Sequence, residues 1–158
     1  MATTIEHFLA LFDEIRFVPS LKARSKSAAL KELADALAAD PEIRHPDVIL
    51  DAFAAREKLG STGIGKEVAI PHTRTVSVSR ITVLVARAPK GLAWEAADDK
   101  PVKLFFVVVA PPVERVPTYL PFLGALVGAV QKKKHRDAMV AAETWEEMRK
   151  ALEEAFRG

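Results

Sequence analysis

The sequence predicts an α/β layered domain, and three observations carry that prediction. Helical and strand-like segments alternate along the chain, the pattern of a sheet with helices packed on it. The segment Lys103 to Ala110 is almost wholly apolar, as a central strand covered on both faces should be. The length of 158 residues fits a single domain over 1–158 and leaves no room for a second full core.

The elements follow in order. Ile5 to Phe12 is weakly amphipathic. Phe17 to Leu21 reads as a short strand that Pro19 pushes toward a sheet edge. Ser25 opens a helix with Leu30, Leu33, Ala34 and Leu37 on one face, ending before Pro41. A second helix starts near Pro46, a good first-turn residue, with Asp47 at the positive end of its dipole. It is expected to carry Val48, Ile49, Ala52 and Phe53 inward and to stop at Gly60. A glycine-bearing loop, Gly60 to Gly65, leads into a short apolar strand, Val68 to Ile70, which ends at Pro71-His72. Stronger strands are expected over Ile81 to Ala88 and Lys103 to Ala110, joined by a loop or small hairpin over Gly91 to Pro101. Helices over Tyr119 to Val130 and from Thr144 close the chain. Thr144 and Glu147 have capping-box spacing, and Trp145, Met148, Leu152 and Phe156 form the inward face.

Composition narrows the function. Hydrophobic residues are 49% and charged residues 28% of the chain, which are globular values. The 23 basic and 21 acidic residues leave a formal charge of +2, without the basic excess of a nucleic-acid binder. Cysteine is absent, which excludes thiol nucleophiles, disulfides and Cys-based zinc sites and suits a cytoplasmic location. No secretory signal is visible, and the longest apolar run, Leu104 to Val113, is about half of what a membrane helix needs. Direct membrane insertion is therefore not expected. His7, His45 and His135 have no metal-ligand spacing, so no metal site is expected. The basic run Lys132 to Arg136 reads as a solvated face that complements the end of the preceding helix.

One motif misleads. Gly60-x-x-x-x-Gly65-Lys66 resembles a phosphate-binding P-loop, but Glu67 stands where that motif needs a hydroxyl for magnesium. The helix precedes the loop and the strand follows it, the reverse of the required order. The same stretch is more informative read to its end. Gly63 and Gly65 free the backbone to form a concave set of N–H donors, and Ser61 and Thr62 add hydroxyls. Arg56, one turn before the helix end, offers a fork suited to a phosphoryl group. His72 lies at the carboxyl end of a short strand, where ligands gather in open α/β sheets. Histidine is nucleophilic near neutral pH. The residues by themselves leave His72 open between a phosphoryl acceptor and a histidine that merely caps a strand.

The run from Arg56-Glu57 through Gly60-Ser61-Thr62-Gly63-Ile64-Gly65 to Val68-Ala69-Ile70-Pro71-His72 closely resembles the signature of enzyme IIA components of the mannitol/fructose type, their nitrogen-regulatory branch included. That signature reads R-E-x-x-G-S-T-G-I-G-N-G-V-A-I-P-H, with the histidine phosphorylated. The resemblance continues through Trp94 to Lys103, Phe105 to Pro111 and more loosely the C-terminal helices. It implies an α/β fold with a mixed sheet and helices on both faces, like mannitol-type enzyme IIA. It further implies a phosphoenolpyruvate-dependent phosphotransferase component, a phosphohistidine carrier rather than a small-molecule turnover enzyme. His72 would accept a phosphoryl group from HPr or an HPr-like carrier, Arg56 would neutralise its oxygens, and Ser61, Thr62, Gly63 and Gly65 would shape the pocket. A IIB domain or a regulatory target protein would be the onward partner, and no cofactor is needed.

The chain departs from the signature at two places. Lys66-Glu67 replaces Asn-Gly, putting charge on the loop rim. Tyr119-Leu120 stands where many members have a second histidine followed by leucine, so Tyr119 is expected to face the phosphoryl pocket with a neutral hydroxyl. No fused permease or partner domain is present, which favours the nitrogen-regulatory branch. The alternative is a binding module of the same fold that docks on a target without passing the phosphoryl group on.

Overall fold

The computed structural model describes residues 4–158. Its helices are α1 (Thr4–Leu9), α2 (Lys26–Leu37), α3 (Pro46–Lys58), α4 (Tyr119–Ala129), α5 (Lys133–Ala141) and α6 (Trp145–Arg157). The strands are β1 (Phe17–Val18), β2 (Gly63–Gly65), β3 (Val68–Ala69), β4 (His72–Arg74), β5 (Thr82–Leu92) and β6 (Val102–Ala110). They form one mixed sheet in the order β1-β5-β6-β3-β2, with β4 also paired to β6. The β5–β6 and β2–β3 pairs are antiparallel; β1–β5, β3–β6 and β4–β6 are parallel.

β6 is the spine because both of its faces are buried. Leu104, Phe106, Val108 and Ala110 enter the core under α1, α4, α5 and α6, while Phe105, Val107 and Val109 enter the core under α2 and α3. β5 alternates the same way, with Val83 and Val85 on the first side and Leu84 and Ala86 on the second. The period of two in strand side chains thus sorts one apolar run into two cores. The mixed sheet with helices on both faces is the expected architecture, and no helix among the described residues is long and apolar enough to cross a membrane.

Local chemistry starts the helices where the sequence indicates. Ser25 accepts the Ala28 N–H at the head of α2, and Thr144 and Glu147 make the reciprocal capping box of α6. β1 is the expected edge strand, but it stops at Val18 before Pro19 instead of running to Leu21. Two expectations need correction. Val48 is not inward but 40% exposed, because only Ile49 and Phe53 of α3 are buried and its apolar face is narrow. The basic run is not simply a tail after a helix: Lys133 to Arg136 form the first turn of α5, with His135 buried. Its relation to the preceding helix does hold, since Arg136 Nη1 donates to the Val130 and Gln131 carbonyls at 2.8 and 2.7 Å at the end of α4.

The Lys66-Glu67 pair proves to be a two-residue hairpin turn between β2 and β3, with Gly65 opposite Val68. Lys66 and Glu67 have φ of 58° and 66°, both left-handed. Such a turn favours Asn-Gly, because a β-carbon in this region costs about 1–2 kcal/mol. The strain is held by neighbours: Lys66 N–H donates to Asp98 at 2.9 Å, and Glu67 pairs with Lys103 at 3.0 Å. The double substitution Lys66→Asn, Glu67→Gly should therefore raise unfolding stability by about 1 kcal/mol, part of the relief being offset by glycine's flexibility in the unfolded chain. Urea unfolding reads this directly, and an unchanged or lower midpoint would show that the turn carries no strain.

Candidate functional site

The site is set by the register on β6. Val68 pairs with Leu104 and His72 with Val108, so β3 and β4 run in phase along the same strand. His72 and Arg74 share the parity of Val68 and consequently lie on the α4 side of the sheet. His72 is half-buried. Its Nδ1 sits 2.6 Å from the Ile70 carbonyl oxygen. A carbonyl can only accept, so Nδ1 carries the proton and Nε2 carries the free lone pair.

Tyr119, the first residue of α4, forms the wall beside this ring. The His72 and Tyr119 ring centroids are 6.4 Å apart. Tyr119 is buried, and burial is the main reason its hydroxyl is held above the usual tyrosine range. The charges of Arg74 and Arg56 pull it down again, while Glu114 adds to the rise. Arg56 therefore approaches the site electrostatically from α3, a helix that packs against β4. Its Nη1 donates to the Gly60 carbonyl at 2.9 Å, so it does fold over the loop. Glu114 receives the backbone N–H groups of Thr118 and Tyr119 at 3.1–3.3 Å and so supplies the anionic cap that Thr118 does not.

The glycine loop is arranged differently from the N–H nest expected of it. Gly63 and Gly65 belong to β2 and pair with Ala69 and Val68. Val68 is four residues up the strand from His72, about 13 Å away. The Gly63 N–H is taken by Ser61 Oγ at 3.1 Å, and its carbonyl by Ala97 at 3.3 Å. A β-carbon on Gly63 would stand 2.7 Å from that of Ala96, so glycine is required here for close packing. Ser61 and Thr62 are nearer, since the Thr62 carbonyl accepts the Ile70 N–H at 3.0 Å. Their hydroxyls are engaged inside the protein, Ser61 with the Trp94 carbonyl at 3.0 Å and Thr62 with the Glu57 carboxylate.

Glu57 is the site-supporting residue that sequence reasoning missed. Its carboxylate is 7% exposed and accepts from the Thr62 N–H and hydroxyl, from Trp94 Nε1 at 3.2 Å, and from Lys26 at 3.0 Å. Lys26 also lies 5.2 Å from the Trp94 ring centroid. The signal available in the sequence was adjacency: Glu57 follows Arg56 on the last turn of α3, so whatever Glu57 grips also aims Arg56. Glu57→Ala would orphan the buried Thr62 N–H and leave Lys26 unpaired, at a cost of about 3 kcal/mol, tempered by the partial exposure of Lys26. Chemical unfolding is the check, and a loss below about 1 kcal/mol would demote the cluster to an ordinary surface pair.

Known proteins share this fold. Residues 10–155 match the family described as phosphoenolpyruvate-dependent sugar phosphotransferase system, EIIA 2. The fructose-specific EIIA component of Haloferax volcanii is 32% identical over 130 residues, 82% of this chain and 84% of that one. A nitrogen regulatory protein of Bradyrhizobium diazoefficiens is 39% identical over 94 residues, 60% of this chain and 61% of that one. Among solved structures, the nitrogen regulatory protein IIA-Ntr from Neisseria meningitidis superposes with a TM-score of 0.84 at 29% identity, covering 92% of this chain and 99% of its own. The mannitol IIA of Escherichia coli shares the fold, with a TM-score of 0.75 at 19% identity. The chain belongs to the type 2 EIIA family of the phosphoenolpyruvate-dependent sugar phosphotransferase system.

Proposed function

We propose that this protein is a cytoplasmic phosphocarrier that accepts a phosphoryl group on His72 Nε2 from a phosphohistidine of HPr or an HPr-like carrier. The observation that carries the reading is the 2.6 Å contact between His72 Nδ1 and the Ile70 carbonyl. With its proton committed to that carbonyl, the ring presents the Nε2 lone pair. That pair attacks the phosphorus, the donor's P–N bond breaks, and the donor nitrogen recovers its electron pair. Positive charge develops on the His72 ring as the new bond forms, and the Ile70 carbonyl dipole stabilises it through the Nδ1 proton, much as a carboxylate orients a catalytic histidine. Arg56 neutralises the phosphoryl oxygens. Ser61 and Thr62 act by holding the loop through Trp94 and Glu57, and Gly63 and Gly65 by building the hairpin that aligns β3. Nothing in this step calls for a metal or organic cofactor, because transfer between two histidines depends on positioning and charge.

Docking needs accessible apolar side chains, and several lie on the segments that follow α3 and lead into α4. Leu59 follows α3 and is 85% exposed, Val113 and Val116 lie on the loop before α4, and Leu120 is 68% exposed beside Tyr119. Side chains of this kind, left open around a reactive group, suit a transient protein partner. The onward partner is a IIB domain or a regulatory target. The similarity to nitrogen regulatory proteins supports the second. Transfer of label from the phosphorylated protein to a IIB domain, or its return to HPr alone, separates the carrier from the non-transferring module.

Incubation with phosphoenolpyruvate, enzyme I and HPr should add one acid-labile phosphoryl group, located by intact mass and peptide mapping at His72. His72→Ala should keep the fold and lose the label; a label at His7, His45 or His135 would overturn the assignment. In rapid-quench transfer, Arg56→Ala should be slower by about two to three orders of magnitude, with Arg56→Lys recovering only part. A wild-type rate in Arg56→Ala would remove that residue from the reaction.

A further inference from the structure

A second guanidinium stands beside His72. Arg74 follows it by two residues on β4, so the two side chains leave the same face of the strand. The Arg74 guanidinium carbon lies 4.5 Å from the centroid of the Tyr119 ring, and that ring is the one beside His72. Tyr119 contributes no positive charge of its own.

The way Arg74 is held leaves it available. Its Nη1 donates to the Pro111 carbonyl at 3.0 Å and to Glu114 Oε1 at 3.3 Å. The second contact is long for a charge-assisted bond, and the Glu114 carboxylate is already shared with the Thr118 and Tyr119 N–H groups. Among the described residues, Nε and Nη2 of Arg74 have no protein acceptor, and the side chain is 38% exposed. By contrast, the half-buried Arg16 and the buried Arg87 spend their Nε on the Val83 and Val140 carbonyls at 2.8 Å. The charged groups felt at the Tyr119 hydroxyl are Arg74, Arg56 and Glu114, two cations against one anion. A phosphoryl group arriving at Nε2 brings a charge approaching −2. With Glu114 held in place as the helix cap, Arg56 alone does not offset both.

We propose that Arg74 is a second phosphoryl-binding cation, which donates from its free edge to the oxygens of phospho-His72 while the face of Tyr119 holds its guanidinium toward the site. This rests on His72 being the phosphoryl acceptor. Arg74 acts from the same strand as the histidine, so binding needs a side-chain rotation and no movement of the backbone. Tyr119 is then a platform whose ring matters more than its hydroxyl.

The test uses the full chain phosphorylated through enzyme I and HPr, with Arg74→Gln, Arg74→Lys, Tyr119→Phe and Tyr119→Leu. Arg74→Gln retains a donor for the Pro111 carbonyl and so guards against a loss of fold, which thermal unfolding verifies. It should shift the transfer equilibrium back toward phospho-HPr by about tenfold, with Arg74→Lys recovering part of the loss. In phosphorus NMR, the second ionisation of the phosphoryl group should move to higher pH in Arg74→Gln, because removing a nearby cation disfavours the dianion. A merely structural Arg74 would not move that titration. Tyr119→Phe should keep the wild-type equilibrium and Tyr119→Leu should lose part of it, with Arg74→Gln costing less in the Tyr119→Leu background. Tyr119 is the only tyrosine in the chain, so its phenolate absorbance reports the unphosphorylated site, and its midpoint should rise further in Arg74→Gln. Wild-type equilibrium and phosphorus titration in Arg74→Gln would overturn the role of Arg74 while leaving His72 intact. A wild-type protein that takes no phosphoryl group would remove both.

Discussion

β6 shares one edge between two short strands, β3 beside Leu104 and Phe105 and β4 beside Val108 to Ala110. Both are parallel to it and in phase, although Ile70 and Pro71 interrupt them. Much else depends on that shared register. It aims Val68 and Ile70 into the core under α4, and it brings His72 and Arg74 to the same side beyond the core's end. It also leaves the Ile70 carbonyl where the His72 ring can turn back to it. A slip of one residue would send His72 to the opposite face, toward α2 and α3, and away from Tyr119. The His72 ring is therefore positioned by backbone pairing with a strand buried on both faces, and its Nδ1 is held by a carbonyl two residues upstream.

The second anchor is polar. Glu57 ties the end of α3 to Thr62 and Trp94, and Trp94 packs edge-on against Phe105 of β6 with ring centroids 4.9 Å apart. The loop carrying Gly60 to Thr62 is thus fastened to the same strand that positions His72, by a separate route. Arg56 and His72 come from different elements, yet His72 pairs directly with β6 and Arg56 adjoins Glu57, which reaches β6 through Trp94. Local order at this candidate site is inherited from the core, so that Leu59, Val113 and Leu120 can stay exposed without loosening the segments that hold Arg56 and His72.

What could be read from the sequence followed this division. The alternation of apolar segments, the caps at Ser25 and Thr144 and the continuous apolar run of β6 are local signals, and each marks the element where it lies. His72 stood out because glycines, a hydroxyl pair and an arginine converge on it in the chain. α5 was obscured because three cations crowd its first turn and Lys132 stands at its cap, all against the helix dipole, and its buried face has only His135 and Met139. β4 is three residues long and carries no apolar side chain, so no period could disclose it. The Gly63–Gly65 loop misled for a physical reason. Glycines suit both an anion nest and a tight hairpin against a neighbouring segment, and what distinguishes the two is the pairing of Gly63 and Gly65 with β3 and the Ala96 contact. The Glu57 cluster joins Lys26, Thr62 and Trp94 from distant parts of the chain, a convergence that no spacing encodes.

The two departures from the signature also separate once distance in space replaces distance in sequence. Lys66-Glu67 lies inside the motif yet sits at the far turn of the hairpin, held by Asp98 and Lys103, where its consequence is backbone strain. Tyr119 lies far outside the motif yet its ring stands beside the histidine, where its consequence is electrostatic. Replacing a side chain that can be charged with one that cannot removes a cation from a place that, on the proposed function, receives an anion. Such a loss is tolerable if another cation lies within reach, and an aromatic face is a surface on which a guanidinium rests favourably, by about 0.5–2 kcal/mol depending on its exposure. A histidine at this position would itself be cationic when protonated and would repel the guanidinium now resting there. Tyr119 and Arg74 are therefore best understood as one unit, in which the ring that fails to bring charge is the ring that holds it.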